Sequence, residues 1–251
     1  MTHILITGAS SGLGAALARA YAAPGVRLCL WGRDRERLDK VAAECRAAGA
    51  AAQIVALDLQ DLHSIEPEIE RCDRENPVDI AIFNAGLGGV TPKERVVEGG
   101  RRALEVASVN FTAAAIGAST IAERMVARGR GQIVLVSSVA QSIPLPMSPA
   151  YAGSKAGLRM FAESLRLRLI RHGISVTLAA PGFIDTPMSR QVAAAKPFMI
   201  TPEKGAAILK RAIAQRRGDF SFPLPYALLE RMFLLLPRPL RRTIASRMPS
   251  S

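Results

Sequence analysis

Cysteine is scarce in this chain. Cys29, Cys45 and Cys72 are the only three in 251 residues, an odd number without metal-type spacing. Neither a disulfide framework nor a metal centre is therefore expected. Such thiols suit a reducing compartment, so the predicted location is cytoplasmic. Aromatic residues make up only 5% of the chain, which leaves few stacking platforms for bases and argues against a nucleic-acid partner. No apolar run reaches the roughly 18 residues of a membrane-spanning helix. The apolar start Met1–Thr7 has neither a basic segment nor a cleavage site, and it reads as a strand rather than a signal peptide. No repeat, low-complexity run or Gly/Ser-rich linker divides the chain. One α/β domain is the expectation, with an ample core drawn from the 49% of residues that are hydrophobic.

Charge is what the chain has in excess. The formal net charge is +12, and arginine supplies most of it. The basic residues are spread through helical segments, as an arginine-rich composition would leave them. An anionic membrane surface, an acidic carrier protein or a phosphorylated substrate would each suit such a surface.

The N-terminal half carries a nucleotide-binding pattern. A short apolar run, His3–Thr7, leads into Gly8-Ala9-Ser10-Ser11-Gly12-Leu13-Gly14, and an alanine-rich segment at helical periodicity, Ala15–Tyr21, follows. Strand, glycine turn and helix form the context in which a pyrophosphate meets free backbone N–H groups. Gly8 permits the turn, Gly12 a close backbone approach, and Gly14 tight helix–strand packing. A second apolar run, Val26–Trp31, ends at Gly32 and Arg33, where NAD-selecting sites place a carboxylate. A guanidinium there pairs with a 2′-phosphate, so the predicted cofactor is NADP(H). Arg35 and Arg37 stand beside Asp34 and Glu36 and read as surface pairs. Ile54–Leu59 predicts the third strand, with Asp58 and Leu59 beside the adenine. Val78–Phe83 predicts the fourth, ending in Asn84-Ala85-Gly86, small enough to pass close to a ribose.

Tyr151-Ala-Gly-Ser-Lys155 places a phenol and an ammonium one helical turn apart. The ammonium should pull the phenol toward the working pH range, and Ser138 could hold a carbonyl or hydroxyl oxygen beside it. Together they form equipment for moving a proton on and off an alcohol oxygen.

Taken in order, these motifs resemble the classical short-chain dehydrogenase/reductase family from Thr7 to about Met188. TGASSGLG is similar to its cofactor loop, and FNAG to its NNAG with Phe83 in first place. Ser138, Tyr151 and Lys155 match its catalytic set, and Asn110 its helix asparagine. Pro181-Gly182-Phe-Ile184-Asp-Thr186 matches the segment beneath the nicotinamide. The resemblance implies a Rossmann-type, doubly wound parallel sheet of about seven strands with helices on both faces. Further apolar runs at Ile133–Val136 and Ser175–Ala179 agree with it. It also implies that Tyr151 acts as general acid and base while Lys155 grips the nicotinamide ribose. Asn110 would hold a relay water, and Ile184 and Thr186 would fix the carboxamide. Ser137 rivals Ser138 but should point to the opposite face. A homodimer or homotetramer is the implied assembly.

Residues 1–188 are expected to form the cofactor-binding and catalytic core, and 189–251 a substrate lid and C-terminal extension of the same domain. Ser189–Ile200 predicts the lid, and Thr201-Pro-Glu-Lys204 opens a helix. Leu224–Leu236 is apolar but for Glu230 and Arg231, and Arg238, Arg241, Arg242 and Arg247 follow. This stretch, 224–247, either lines the substrate pocket or a subunit interface, or lies in a membrane interface as a peripheral contact. Both readings favour an apolar carbonyl or alcohol substrate. A 3-oxoacyl carrier-protein reductase and a non-catalytic NADPH sensor are the alternative functions.

Overall fold

The structure is a computed structural model, and it describes residues 1–92, 94–192 and 195–246. Arg247 of the basic stretch and Ala193 and Ala194 of the lid lie outside the described residues.

Seven strands are described: β1 (Thr2–Thr7), β2 (Val26–Gly32), β3 (Ala51–Ala56), β4 (Ile80–Phe83), β5 (Gly131–Val136), β6 (Ile174–Pro181) and β7 (Asp219–Phe222). They form one all-parallel sheet in the order β3-β2-β1-β4-β5-β6-β7. The pleat sends alternate side chains to opposite faces, and both faces are buried. In β1, Ile4 and Ile6 join one core while Leu5 joins the other. The first core packs under α1 (Gly12–Tyr21), α2 (Arg35–Ala47) and α8 (Pro202–Ala214). The second packs under α3 (Ile65–Glu75), α5 (Ala113–Arg128) and α6 (Pro149–Leu169). Strand order reverses between β1 and β4, which opens a crevice at their carboxyl ends.

Helix α4 (Gly100–Ala107) runs into α5 through a π turn, Ser108–Thr112. The continuous helix Gly100–Arg128 is long and apolar enough to cross a membrane. Its apolar side is instead a core face, with Ile121 and Met125 fully buried. Its polar end is tied down as well. Arg124 and Arg128 donate to the buried Asp73 carboxylate at 2.7 and 3.0 Å, which also accepts from Val78 N at 2.8 Å.

Two strands differ from the sequence expectation. β3 ends at Ala56 rather than Leu59, because the Asp58 carboxylate accepts from Gln60 N at 3.0 Å and turns the chain. β7 was not legible as a strand, being four residues long. Thr201 caps α8 as expected, accepting from Lys204 N at 3.2 Å. Beyond β7, α9 (Leu224–Leu235) and α10 (Arg238–Ser246) are separated at Pro237, whose ring cannot continue a helix.

Candidate active site

The glycine loop is shaped by contacts that only glycine allows. Gly8 and Gly12 have φ of 68° and 54°, a left-handed region costly for other residues. A Cβ on Gly14 would lie 2.2 Å from the Gly8 carbonyl oxygen, and one on Gly8 2.8 Å from Ala85 Cα. Ser11 precedes α1 in an extended conformation and makes no side-chain cap. The first N–H groups of α1 are thus free of side-chain caps, and the loop leaves an anion cradle at a helix N-terminus. Leu13, one residue into the helix, is buried and packs beneath the loop.

Arg33, at the end of β2, has a side chain 71% exposed and comes no closer than 4.0 Å to Asp58. Its neighbours are engaged elsewhere: Arg37 pairs with Asp34 at 3.0 Å and Arg35 lies 3.9 Å from Asp39. Across the loop, a Cβ on Gly32 would lie 3.3 Å from Ser10 Oγ. Arg33 and Ser10 therefore flank one exposed polar corner. Leu59, Thr7 and Ala85 line a small cavity one strand away.

Asn84 is engaged within the protein. Its side chain donates to the Thr7 carbonyl at 3.1 Å, while Thr7 Oγ1 accepts from Asn84 N and Ala85 N at 3.0 and 3.1 Å. These bonds fasten β4 to β1, and they leave Ala85 and Gly86 as the small surfaces that face the crevice. Phe83 is buried against Gly117 of α5, so the first position of FNAG belongs to the core.

Ser138, Tyr151 and Lys155 converge at the carboxyl end of β5. Tyr151 stands in the first turn of α6 and Lys155 one turn on, with Lys155 Nζ 5.8 Å from the phenol ring centre. Lys155 is 4% exposed and donates to the Val136 carbonyl at 2.9 Å. Burial brings its pKa down to about 8. The Tyr151 phenol faces the Ser138 hydroxyl. Burial pushes its pKa up, and the Ser138 hydrogen bond opposes this in part. This corrects the expectation that Lys155 pulls the phenol down: in this structure desolvation dominates. Ser137 does point away, donating to the Lys155 carbonyl at 3.2 Å.

Asn110 sits in the π turn, 1% exposed. Its amide spans the Leu87 peptide, accepting from Leu87 N at 2.6 Å and donating to Leu87 O at 3.0 Å, with a further contact to Ser154 Oγ at 3.3 Å. The side chain is thereby committed to holding the 84–88 loop beside Lys155. A Cβ on Gly86 would lie 3.3 Å from Asn110 Oδ1 and 3.7 Å from Lys155 Nζ.

The Pro-Gly segment closes the crevice from the other side. Pro181 ends β6 opposite Phe222, and Gly182 N donates to Phe222 O at 2.7 Å. Thr186 caps the short helix α7 (Pro187–Arg190), and its methyl lies 2.9 Å from where a Gly12 Cβ would be. Ile184 is buried and bridges to Ile200, which ties the far end of the 189–200 segment back to the Pro-Gly segment.

Four residues of this site escaped the sequence reading. Thr7 fastens the two central strands, as above. The Glu98 carboxylate accepts from Ala150 N and so caps the helix that carries Tyr151. Tyr226 of α9 packs on the Gly182 backbone, meets Phe183 and Phe198 edge-on at 6.2 and 6.1 Å, and donates to Pro197 O at 2.5 Å. Glu230, 6% exposed, accepts from Ser142 Oγ at 2.6 Å, Gln141 Nε2 at 3.2 Å and Ser221 Oγ. It thereby pins α9 to the turn that follows Ser138. A lone acid inside an apolar run was its available signal.

The chain matches the family model for short chain dehydrogenases over residues 2–197. An uncharacterized oxidoreductase of Myxococcus xanthus (strain DK1622) is 35% identical over 245 residues, 97% of this chain and 96% of that protein. A short-chain dehydrogenase from Sphingobium yanoikuyae, solved in complex with NADPH, aligns with a TM-score of 0.83 at 27% identity, covering 99% of this chain and 97% of that one. The bulky-bulky ketone specific alcohol dehydrogenase from Comamonas testosteroni aligns with a TM-score of 0.80 at 25% identity, covering 99% and 95%.

Proposed function

This chain belongs to the short-chain dehydrogenase family, and from that premise we propose that it is an NADP(H)-dependent oxidoreductase interconverting an apolar ketone and its secondary alcohol. The observation that carries the proposal is the buried Lys155 ammonium, held by the Val136 carbonyl at 2.9 Å and 5.8 Å from the Tyr151 ring centre, with Ser138 two residues past the end of β5.

The residues present fit a dinucleotide. Gly8, Gly12 and Gly14 leave a cradle that side chains would fill, and with Ser10, Ser11 and Leu13 they form the surface that would take the pyrophosphate. Arg33 and Ser10 would take the 2′-phosphate, in line with the NADPH bound to the Sphingobium enzyme. Asp58 and Leu59 would border the adenine, and Asn84, Ala85 and Gly86 the ribose. Pro181, Gly182, Ile184 and Thr186 would border the nicotinamide. When bound, the nicotinamide supplies or accepts the hydride.

The chain's own groups handle the proton. Tyr151 gives its phenolic proton to the carbonyl oxygen in reduction and takes it back in oxidation. Ser138 donates a hydrogen bond to the same oxygen and stabilises the charge that builds there. Lys155, with a pKa of about 8, remains mostly cationic at neutral pH and steadies the phenolate. It would also grip the nicotinamide ribose. A phenol raised by burial is a proton donor at neutral pH, which supports reduction as the working direction. With its side chain committed to Leu87, Asn110 would hold a relay water through the backbone of its π turn.

An aromatic wall of Phe183, Phe198 and Tyr226 above Gly182 supports an apolar substrate. The bulky ketones taken by the Comamonas enzyme point the same way. Tyr151→Phe keeps the ring and removes the proton. Its ketone reduction, followed by NADPH absorbance, should fall about 100-fold or more, while NADPH affinity by fluorescence titration stays near wild type. Retention of most of the rate would refute the assignment.

A further inference from the structure

We propose that the outer face of α9 and α10, together with the tip of the lid, docks on an anionic lipid membrane. The inner face of α9 is spoken for by Tyr226, Glu230 and Phe233. Its outer face carries Leu224, Leu228, Met232 and Leu235, exposed by 69, 51, 64 and 85%. Their spacing of four, four and three residues aligns them as one stripe. A soluble surface rarely leaves so many large apolar side chains contiguous.

The charges around the stripe carry one sign. Across residues 224–246 the only acid is Glu230, and it is turned inward onto Ser142, Gln141 and Ser221. Arg231, Arg238 and Arg242 are exposed. On α10, Leu240 and Ile244 lie one turn apart and are also exposed. Apolar side chains rimmed by arginine without carboxylates are the composition of a helix lying in a lipid headgroup layer. The two helices, of 12 and 9 residues and parted by Pro237, are too short to span a bilayer.

A second copy of this chain fits the face less well. A two-fold contact sets the same patch against itself, and the three arginines would then face one another. The lid tip lies beside the same helix. Phe198 and Met199 are exposed by 55 and 44%, and Phe198 meets Tyr226 of α9 edge-on. A docked molecule would hold the mouth of its site against the bilayer, where an apolar ketone partitions. That last step rests on the oxidoreductase reading, but the docking itself does not.

Co-sedimentation of the full chain with vesicles tests the inference. Wild type should pellet with mixed phosphatidylglycerol–phosphatidylcholine vesicles, weakly with phosphatidylcholine alone, and less as salt is raised. Leu228→Glu with Met232→Glu, and separately Arg238→Glu with Arg242→Glu, should each weaken binding about 30-fold or more. All four side chains are exposed, so both variants should keep wild-type NADPH turnover on a small water-soluble ketone. Loss of turnover in wild type as well would fault the enzymatic reading and leave the docking intact. Absent wild-type binding, equal binding to both vesicle types, or unaltered binding by the variants would overturn the proposal. So would a wild-type dimer that Leu228→Glu with Met232→Glu converts to monomer, since a second copy would then cover the face.

Discussion

Lys155 makes a prediction that can be worked from the structure. Its ammonium is 4% exposed, with the Val136 carbonyl at 2.9 Å, and burial lowers its pKa from 10.5 to about 8. At about 1.4 kcal/mol per unit, holding that charge in the native state costs about 3 kcal/mol at neutral pH. The folded pKa is depressed, so the unfolded chain binds the proton more tightly between about pH 8 and 10.5. Stability therefore rises with pH through that window and is lost as pH falls through 8. Lys155→Met keeps the apolar stem and removes the titration. It also strands the Val136 carbonyl, but that loss does not depend on pH and cancels in a difference. Urea unfolding of both proteins at about pH 7 and about pH 9.5 should show wild type gaining about 2 kcal/mol on the variant. A stability gap that stays constant across that range would refute the reasoning: Lys155 would then be solvated in the native state, and its role as a buried cation beside Tyr151 would go with it.

Other perturbations probe the scaffold and the cofactor corner. Gly14→Ala puts a Cβ 2.2 Å from the Gly8 carbonyl. The loop must move, so thermal stability should drop by roughly 1–3 kcal/mol and the stabilisation by added NADPH in a melting assay should largely vanish. Asp73→Ala strands Arg124, Arg128 and Val78 N at once. A loss of about 3 kcal/mol in urea unfolding is expected, with NADPH binding preserved in the protein that remains folded. Arg33→Asp should raise the KM for NADPH about 10–100-fold and leave that for NADH nearly unchanged. Equal effects on both cofactors in parallel steady-state assays would remove Arg33 from the 2′-phosphate site.

The legible parts of the site were those written in local chemistry. Gly8, Gly12 and Gly14 announce their loop because φ and close approach leave other residues no room. Tyr151 and Lys155 announce theirs because a helix repeats every 3.6 residues or so. Glu98 and Glu230 stayed hidden, since their partners lie 52 and 88 residues away in sequence, at Ala150 and Ser142. Asn84 read only as a cofactor residue; its fastening of β1 to β4 stayed hidden, because its partner Thr7 is adjacent only once the two strands pair. β7 is too short to carry a period, and it exists because β6 offers it an edge.

By itself the sequence determined six of the sheet's seven strands, the glycine loop and the Tyr151–Lys155 turn, for in each the deciding interactions lie within a few residues of chain. Only the tertiary structure decided the state of the phenol and the use of α9. Burial, which raises Tyr151, is a sum over neighbours from the whole fold. The apolar run Leu224–Leu235 could have faced inward on every side. Packing against β7 and the turn after Ser138 buried one face with Glu230 in it and left the other, with its leucines and arginines, exposed.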